Sequence, residues 1–170
     1  PLTGREVAIF VSQSGETADT LSALKNVLGR VQSAAAVVNV PTSSIAREAD
    51  AVFDIAAGPE IGVASTKAFT GQLLALLGIA LTAGHQRGAL SDDDVAAFVS
   101  DLSALPRHMS EALQAERRAQ DIGSSLVTAS DAYFLGRGIL YPIALEAALK
   151  LKEISYIHAD GYAAGESKHG

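Results

Sequence analysis

Glu6-Val7-Ala8-Ile9-Phe10-Val11 runs straight into Ser12-Gln13-Ser14-Gly15-Glu16-Thr17 near the start of this 170-residue chain. The first half is a short, continuously apolar run, the pattern of a strand buried in a parallel sheet. The second half is a Ser/Gly cluster, and from Thr17 onward Leu21, Leu24 and Leu28 recur at helical spacing until Gly29. Strand, polar loop and helix in that order predict the opening of an α/β layer.

The same alternation continues. Ser33 to Val40 predicts a second buried strand, followed by Pro41 and a short helix near Ser44 to Glu48. Ala51 to Ala56 predicts a third strand. Gly58-Pro59 turns the chain, and a long apolar helix is expected from Ser65 to about Gly84, buried along Leu73 to Ala83. Buried strands alternating with helices imply a doubly wound parallel sheet, flavodoxin-like, with helices on both faces in three layers. From His85 the character changes to polar, amphipathic helices, the first starting at Asp92-Asp93-Asp94 and broken by Pro106, the second carrying Met109 and Leu113 toward Ile122. Asp131 to Leu135 restarts the scheme as a strand, with Gly136-Arg137-Gly138 as loop and Tyr141 to Tyr156 as helix. Two similar halves are expected, both incomplete: residues 1–90, a helical connector over 91–127, and the start of a second module over 128–170. An open parallel sheet needs more strands than these, so a piece of a longer protein is expected.

Composition narrows the function. Hydrophobic residues make up 48%, which is the composition of a chain with a core. The net charge is −6 and the 13 Lys and Arg are scattered rather than striped, which argues against nucleic acid as a partner. No run of roughly 18 uninterrupted apolar residues occurs, so no membrane span is expected. No secretory pattern opens the sequence, and a cytoplasmic enzyme is the expectation. Cysteine is absent, which removes disulfides and thiolate metal sites.

Three groups of residues carry chemistry. In Ser12 to Thr17, the unpaired N–H groups of a helix start, the hydroxyls of Ser12, Ser14 and Thr17, and the close approach that Gly15 permits together make an anion cradle. With no Lys and no Mg²⁺-binding pattern, it suits a sugar phosphate better than a nucleoside triphosphate. The same serines would serve equally as a helix cap. Glu146, Lys150 and Glu153 fall on one face of the last helix. They are a candidate proton-transfer group, although spacing alone favours a solvated ladder worth about 0.3–0.5 kcal/mol per pair. His158, Glu166, Lys168 and His169 match no metal-ligand spacing, so no metal is expected; a loop histidine suits acid–base work near neutral pH.

Taken together, these blocks resemble the isomerase part of the glucosamine-6-phosphate synthase family, which is built from sugar-isomerase (SIS) modules. The resemblance lies in Ser12-Gln13-Ser14-Gly15-Glu16-Thr17-Ala18-Asp19-Thr20 and Glu60-Ile61-Gly62-Val63-Ala64-Ser65-Thr66-Lys67-Ala68-Phe69-Thr70. It continues in Tyr141 to Glu146, Lys150 to Ala159, and Tyr162 to Gly170. It implies that Ser12, Gln13, Ser14 and Thr17 hold the phosphate of fructose 6-phosphate, and that Val63 (through its backbone) and Ser65 touch sugar hydroxyls. It further implies that Glu153 moves the proton between C1 and C2, that Lys150 assists, and that His169 opens the sugar ring from the neighbouring subunit of a homodimer. No cofactor is implied: a protein lysine and ammonia from glutamine do the chemistry. The family's glutamine-hydrolysing half needs a cysteine and is expected elsewhere in the full-length protein. The family's first Gly-Thr-Ser loop and its Schiff-base lysine are not matched here, and Glu166-Ser167-Lys168-His169 stands where many members have Glu-Leu-Lys-His. The polypeptide is therefore expected not to complete the reaction alone. An amino-sugar-phosphate deaminase or deglycase of the SIS family would share the serine loop, and a non-catalytic SIS regulator would need the loop without Glu153 and His169.

Overall fold

A computed structural model describes residues 1–166. The chain forms two compact units, Pro1–Ala96 and Ala97–Gly170, and each is described by itself.

The first unit holds a three-stranded parallel sheet in the order β1-β2-β3: β1 (Val7–Ser12), β2 (Ser33–Val38) and β3 (Ala51–Asp54). Helix α1 (Ala18–Val27) connects β1 to β2, and α2 (Ser44–Glu48) connects β2 to β3. The strand at the centre is β2, and Ala34 to Val38 are all buried. Three consecutive alanines there let helices lie close on the sheet without cavities. Leu24, Ala34, Ala36, Val38, Ile45 and Ala46 form the core, with Phe10, Leu21, Leu28 and Ala49 packed around it. Alternate β2 residues thus meet α1 and α2, as the period of two in a strand requires.

The flanking strands differ from expectation. On β1 the face of Val7, Ile9 and Val11 is exposed, and all four residues of β3 are exposed. Continuous apolarity marks a strand that two layers can cover, and among the described residues of this unit only one face of β1 is covered. The long helix α3 (Lys67–Gln86) forms as expected and lies against β2, yet only Ala68 is buried in it. By length and composition α3 would be able to cross a membrane, although no uninterrupted apolar run marks it. Gly71 faces Ile55 just beyond β3, where an added Cβ would stand 3.3 Å from the Ile55 side chain.

Helix α4 (Asp92–Leu113) spans the division between the units and continues through Pro106, where a break was expected. Proline costs a helix one N–H bond, but α4 has no buried residue, and on such a helix water can take the place of the lost donor. Met109 and Leu113 accordingly belong to α4, and α5 (Glu116–Leu126) follows.

The second unit pairs β4 (Asp131–Gly136) with β5 (His158–Ala163) in parallel, and α6 (Tyr141–Ser155) packs on both strands. His158, expected in a loop, opens β5. It is drawn into the sheet by its partner strand: its N–H donates to the Ser130 carbonyl at 3.0 Å, and its Nδ1 lies 3.2 Å from Asp131. Ala144, Ala148 and Ala159 form the helix–strand contact. A Cβ at Gly161 would stand 2.9 Å from the Leu145 Cα, so glycine sets how closely α6 is seated.

Leu24, fully buried between α1 and β2, tests this packing. Leu24→Ala is expected to lower unfolding stability by about 2–5 kcal/mol in urea titration, with the slope against denaturant unchanged. A loss below about 1 kcal/mol would mean that α1 does not pack as described.

Candidate functional site

Parallel pairing brings the ends of all three strands of the first unit to one edge. Ser12 registers with Val38, and Val38 with Asp54. The segments that leave the sheet there are Gln13 to Thr17, Asn39 to Ser43, and Ile55 to Thr66.

The first of these is a closed hydroxyl loop. Ser12 is buried; its Oγ accepts the Gly15 N–H at 3.0 Å and lies 2.9 Å from the Thr17 Oγ1. The Ser14 Oγ accepts the Glu16 N–H at 3.2 Å. None of these hydroxyls caps α1: Thr17 occupies the cap position, and its side chain makes no hydrogen bond to the helix N–H groups. These side chains therefore do not serve as the helix cap that the sequence alternatively allowed. The positive end of α1 is open, and an oxygen that accepts a main-chain N–H keeps its own proton to donate outward.

Gly15 shapes the loop. Its φ of +66° is in the left-handed region, and a Cβ there would lie 1.9 Å from the Ser43 Oγ. Ser43 is 2% exposed, and its Oγ is the buried side-chain oxygen without a partner among the described residues.

An acidic residue inside an anion loop would repel its ligand, but Glu16 is turned away. Its carboxylate accepts the Ser44 N–H at 2.8 Å at the start of α2. The Ser44 main-chain and side-chain hydrogen bonds, and then the Arg47 charge, hold the Glu16 carboxyl below the usual carboxylate range. The Ile45 N–H also donates to the Gly15 carbonyl at 3.0 Å, so two bonds from α2 brace the loop.

Val63 and Ser65 lie on the segment entering α3. Val63 is 96% exposed, which frees its backbone for contact, and Ala64 beside it is buried. Ser65 has a φ of +54°, uncommon for serine, and its N–H closes a turn onto the Gly62 carbonyl at 3.0 Å. Glu60 accepts the Ala68 N–H at 3.1 Å in the first turn of α3.

In the second unit Lys150 sits between two carboxylates on α6, with Nζ 3.0 Å from Glu146 and 3.2 Å from Glu153. Partial burial would lower the Lys150 pKa, but hydrogen bonds to Glu146 and then Glu153, with their charges, outweigh it and raise the value. Lys150 is therefore an ammonium that donates to both acids. The sugar-phosphate contacts expected from sequence thus fall on one edge of the first unit, and Lys150 and Glu153 together on one helix of the second. His169 lies outside the described residues. Sequence reading passed over Asn39, Ser43 and Glu60. Asn39 ends an apolar run that was read as strand to Val40, and a polar side chain there was the available signal.

The first unit is an open parallel α/β layer with a hydroxyl-lined, uncapped helix start at the carboxyl edge of its sheet, the place where α/β proteins commonly hold ligands. The family model for the SIS domain matches residues 1–82 and 125–170, and the chain belongs to that family. Over 170 residues it is 56% identical to the glutamine–fructose-6-phosphate aminotransferase (isomerizing) of Bradyrhizobium diazoefficiens, covering all of this chain and 28% of that protein. The corresponding Bartonella quintana protein is 53% identical over the same span. The chain thus spans between a quarter and a third of the length of the curated relatives it matches. Among solved structures, the C-terminal domain of glucosamine-fructose-6-phosphate aminotransferase from Francisella tularensis superposes with a TM-score of 0.93 at 44% identity, covering 96% of this chain and 46% of that one.

The Glu16 tie predicts a pH signature. A carboxyl whose pKa is lowered on folding stabilises the fold above its unfolded value, and that contribution fades as pH falls through the folded one. Unfolding curves of the unaltered chain and Glu16→Gln, taken from about pH 7 to pH 3, are expected to differ at neutral pH and converge in acid. Curves that stay parallel would remove the charge from this role.

Proposed function

We propose that this chain is the isomerase portion of a glutamine–fructose-6-phosphate aminotransferase, binding fructose 6-phosphate and converting it, with ammonia from glutamine, to glucosamine 6-phosphate. The product would feed amino-sugar synthesis toward UDP-N-acetylglucosamine. The observation that carries this reading is the serine loop: an uncapped helix start ringed by hydroxyls, with its one acidic side chain turned away. The high identity to aminotransferases over the whole chain supports the choice of substrate.

In this reading Ser12, Gln13, Ser14 and Thr17 hold the phosphate, while the Val63 backbone and Ser65 hold sugar hydroxyls. Glu153 takes a proton from C1 of the fructosimine and returns one to C2, while the C1 hydroxyl gives up its proton and the imine nitrogen gains one, so the C2 imine becomes an amine and C1 the aldehyde carbon. One carboxylate suffices, because the imine makes the C1 proton acidic and both carbons lie on one face of the substrate. Lys150, an ammonium, cannot be that base; it positions Glu153 through their hydrogen bond. His169 would open the sugar ring, supplied by the partner in a homodimer. A glutaminase domain elsewhere in the full-length protein would deliver ammonia, in the cytoplasm. The exposed apolar flank of α3 is read as protein interface rather than membrane span, and residues 91–127, most of them unmatched by the family model, as a connector between modules at 1–90 and 128–170.

Calorimetry with fructose 6-phosphate and glucosamine 6-phosphate tests the reading. Both are expected to bind, and Ser14→Ala is expected to abolish the signal while circular dichroism stays unchanged. Glu153→Gln leaves the loop intact and is expected to retain binding. No binding by the folded, unaltered chain would overturn the proposal.

A further inference from the structure

Asn39 is bonded to both of the loops assigned to the sugar phosphate. Its main-chain N–H donates to the Gln13 carbonyl at 3.1 Å, inside the serine loop. Its side chain faces the other loop: Oδ1 accepts the Ala57 N–H at 3.0 Å, and Nδ2 donates to the Gly58 carbonyl at 2.7 Å. The side chain therefore meets main-chain groups of both polarities in one fixed orientation, which of the common side chains of this size only an amide can do.

The segment it holds does not fold that way unaided. Ala56 has a φ of +50° and Gly58 a φ of +67°. A non-glycine residue in the left-handed region persists only where its surroundings determine it. Here Asp54 accepts the Ala56 N–H at 2.8 Å, the Ile55 N–H donates to the Val38 carbonyl at 3.0 Å, and Asn39 fixes the next two residues. Beyond Gly58 the chain runs directly to Val63 and Ser65.

We infer that Asn39 is a positioning residue that sets the separation between the phosphate loop and the sugar-hydroxyl loop. This rests on the sugar-phosphate reading above. Asn39 touches no substrate in this role. It acts through Gln13 on one side and Ala57–Gly58 on the other, and so governs ligands that span both loops but not those that occupy one.

That difference gives a test with two ligands, fructose 6-phosphate and inorganic phosphate, titrated against the same chain by calorimetry. Asn39→Ala and Asn39→Asp are expected to weaken fructose 6-phosphate binding about tenfold while leaving inorganic phosphate within about twofold. Asn39→Asp keeps the acceptor for Ala57 but sets a carboxylate oxygen against the Gly58 carbonyl. Protonation restores a donor, so its deficit relative to the unaltered chain at the same pH is expected to shrink as pH falls toward about 4. A general loss of fold would weaken both ligands together and would not recover in acid, and that pattern would overturn the inference. Equal fructose 6-phosphate affinity in folded variants would also overturn it while leaving the sugar-phosphate reading intact. If the unaltered chain binds neither ligand, that reading falls and Asn39 loses its role with it.

Discussion

A parallel sheet sends the carboxyl end of every strand to one edge, and the chemistry of the first unit depends on that geometry. With Ser12, Val38 and Asp54 in register, the three segments that follow begin at the same level, about 4.8 Å apart from strand to strand. No side chain needs to be long to reach from one segment to the next. A hydroxyl, an amide and a carboxylate suffice, and the bonds between Asn39 and Gly58 or Glu16 and Ser44 have that reach. The sheet holds this edge because β2 is buried along nearly its whole length and built from small and branched residues. Packing at the centre and chemistry at the edge are in this sense one arrangement.

A negatively charged protein can hold an anion only through local attraction, and the serine loop carries groups of that kind. The net charge of −6 gives no long-range attraction. Local attraction would come from main-chain N–H groups at the start of α1 and from the loop's hydroxyls. Glu16 would cancel part of it were its charge not spent on α2. Diverting that carboxylate does two things at once, removing a repulsive charge from the cradle and bracing the loop against α2 beside the Gly15–Ile45 bond. The tight fit of Gly15 over Ser43 belongs to the same brace, since any larger residue would push the loop off the α2 start.

Much of this was legible in the sequence, and what was not follows from physical causes. The continuous apolarity of Val7 to Val11 and of Ala34 to Val38 marks parallel strands, and the Ser/Gly cluster after the first marks the loop into α1. Both are local patterns. Burial is not local: the same apolar pattern that is fully covered in β2 stands with one face exposed in β1, because coverage depends on neighbours that a strand's own residues do not specify. The reading of Pro106 as a break assumed that its lost hydrogen bond matters equally everywhere, whereas an exposed helix can give the orphaned carbonyl to water. His158 was read as loop because a histidine at the head of Ala-Asp-Gly carries little strand propensity; its pairing with Asp131, twenty-seven positions earlier, decides the matter. Asn39 was hidden for the same reason, since its partners lie eighteen and nineteen residues ahead.

The helix of the second unit holds a charge arrangement of its own. Glu146, Lys150 and Glu153 have the spacing of an ordinary surface ladder, and on a fully solvated helix they would contribute little. Here Lys150 is only one-quarter exposed and its hydrogen bonds to both acids overcome the cost of partial burial, so its charge is fixed as positive. Such a cation cannot exchange protons near neutral pH, and it contacts Glu153 from one side only. The Glu153 carboxylate is left oriented by its neighbour and still exposed to solvent. One ammonium thus supplies the charge complement to two carboxylates on a single helix.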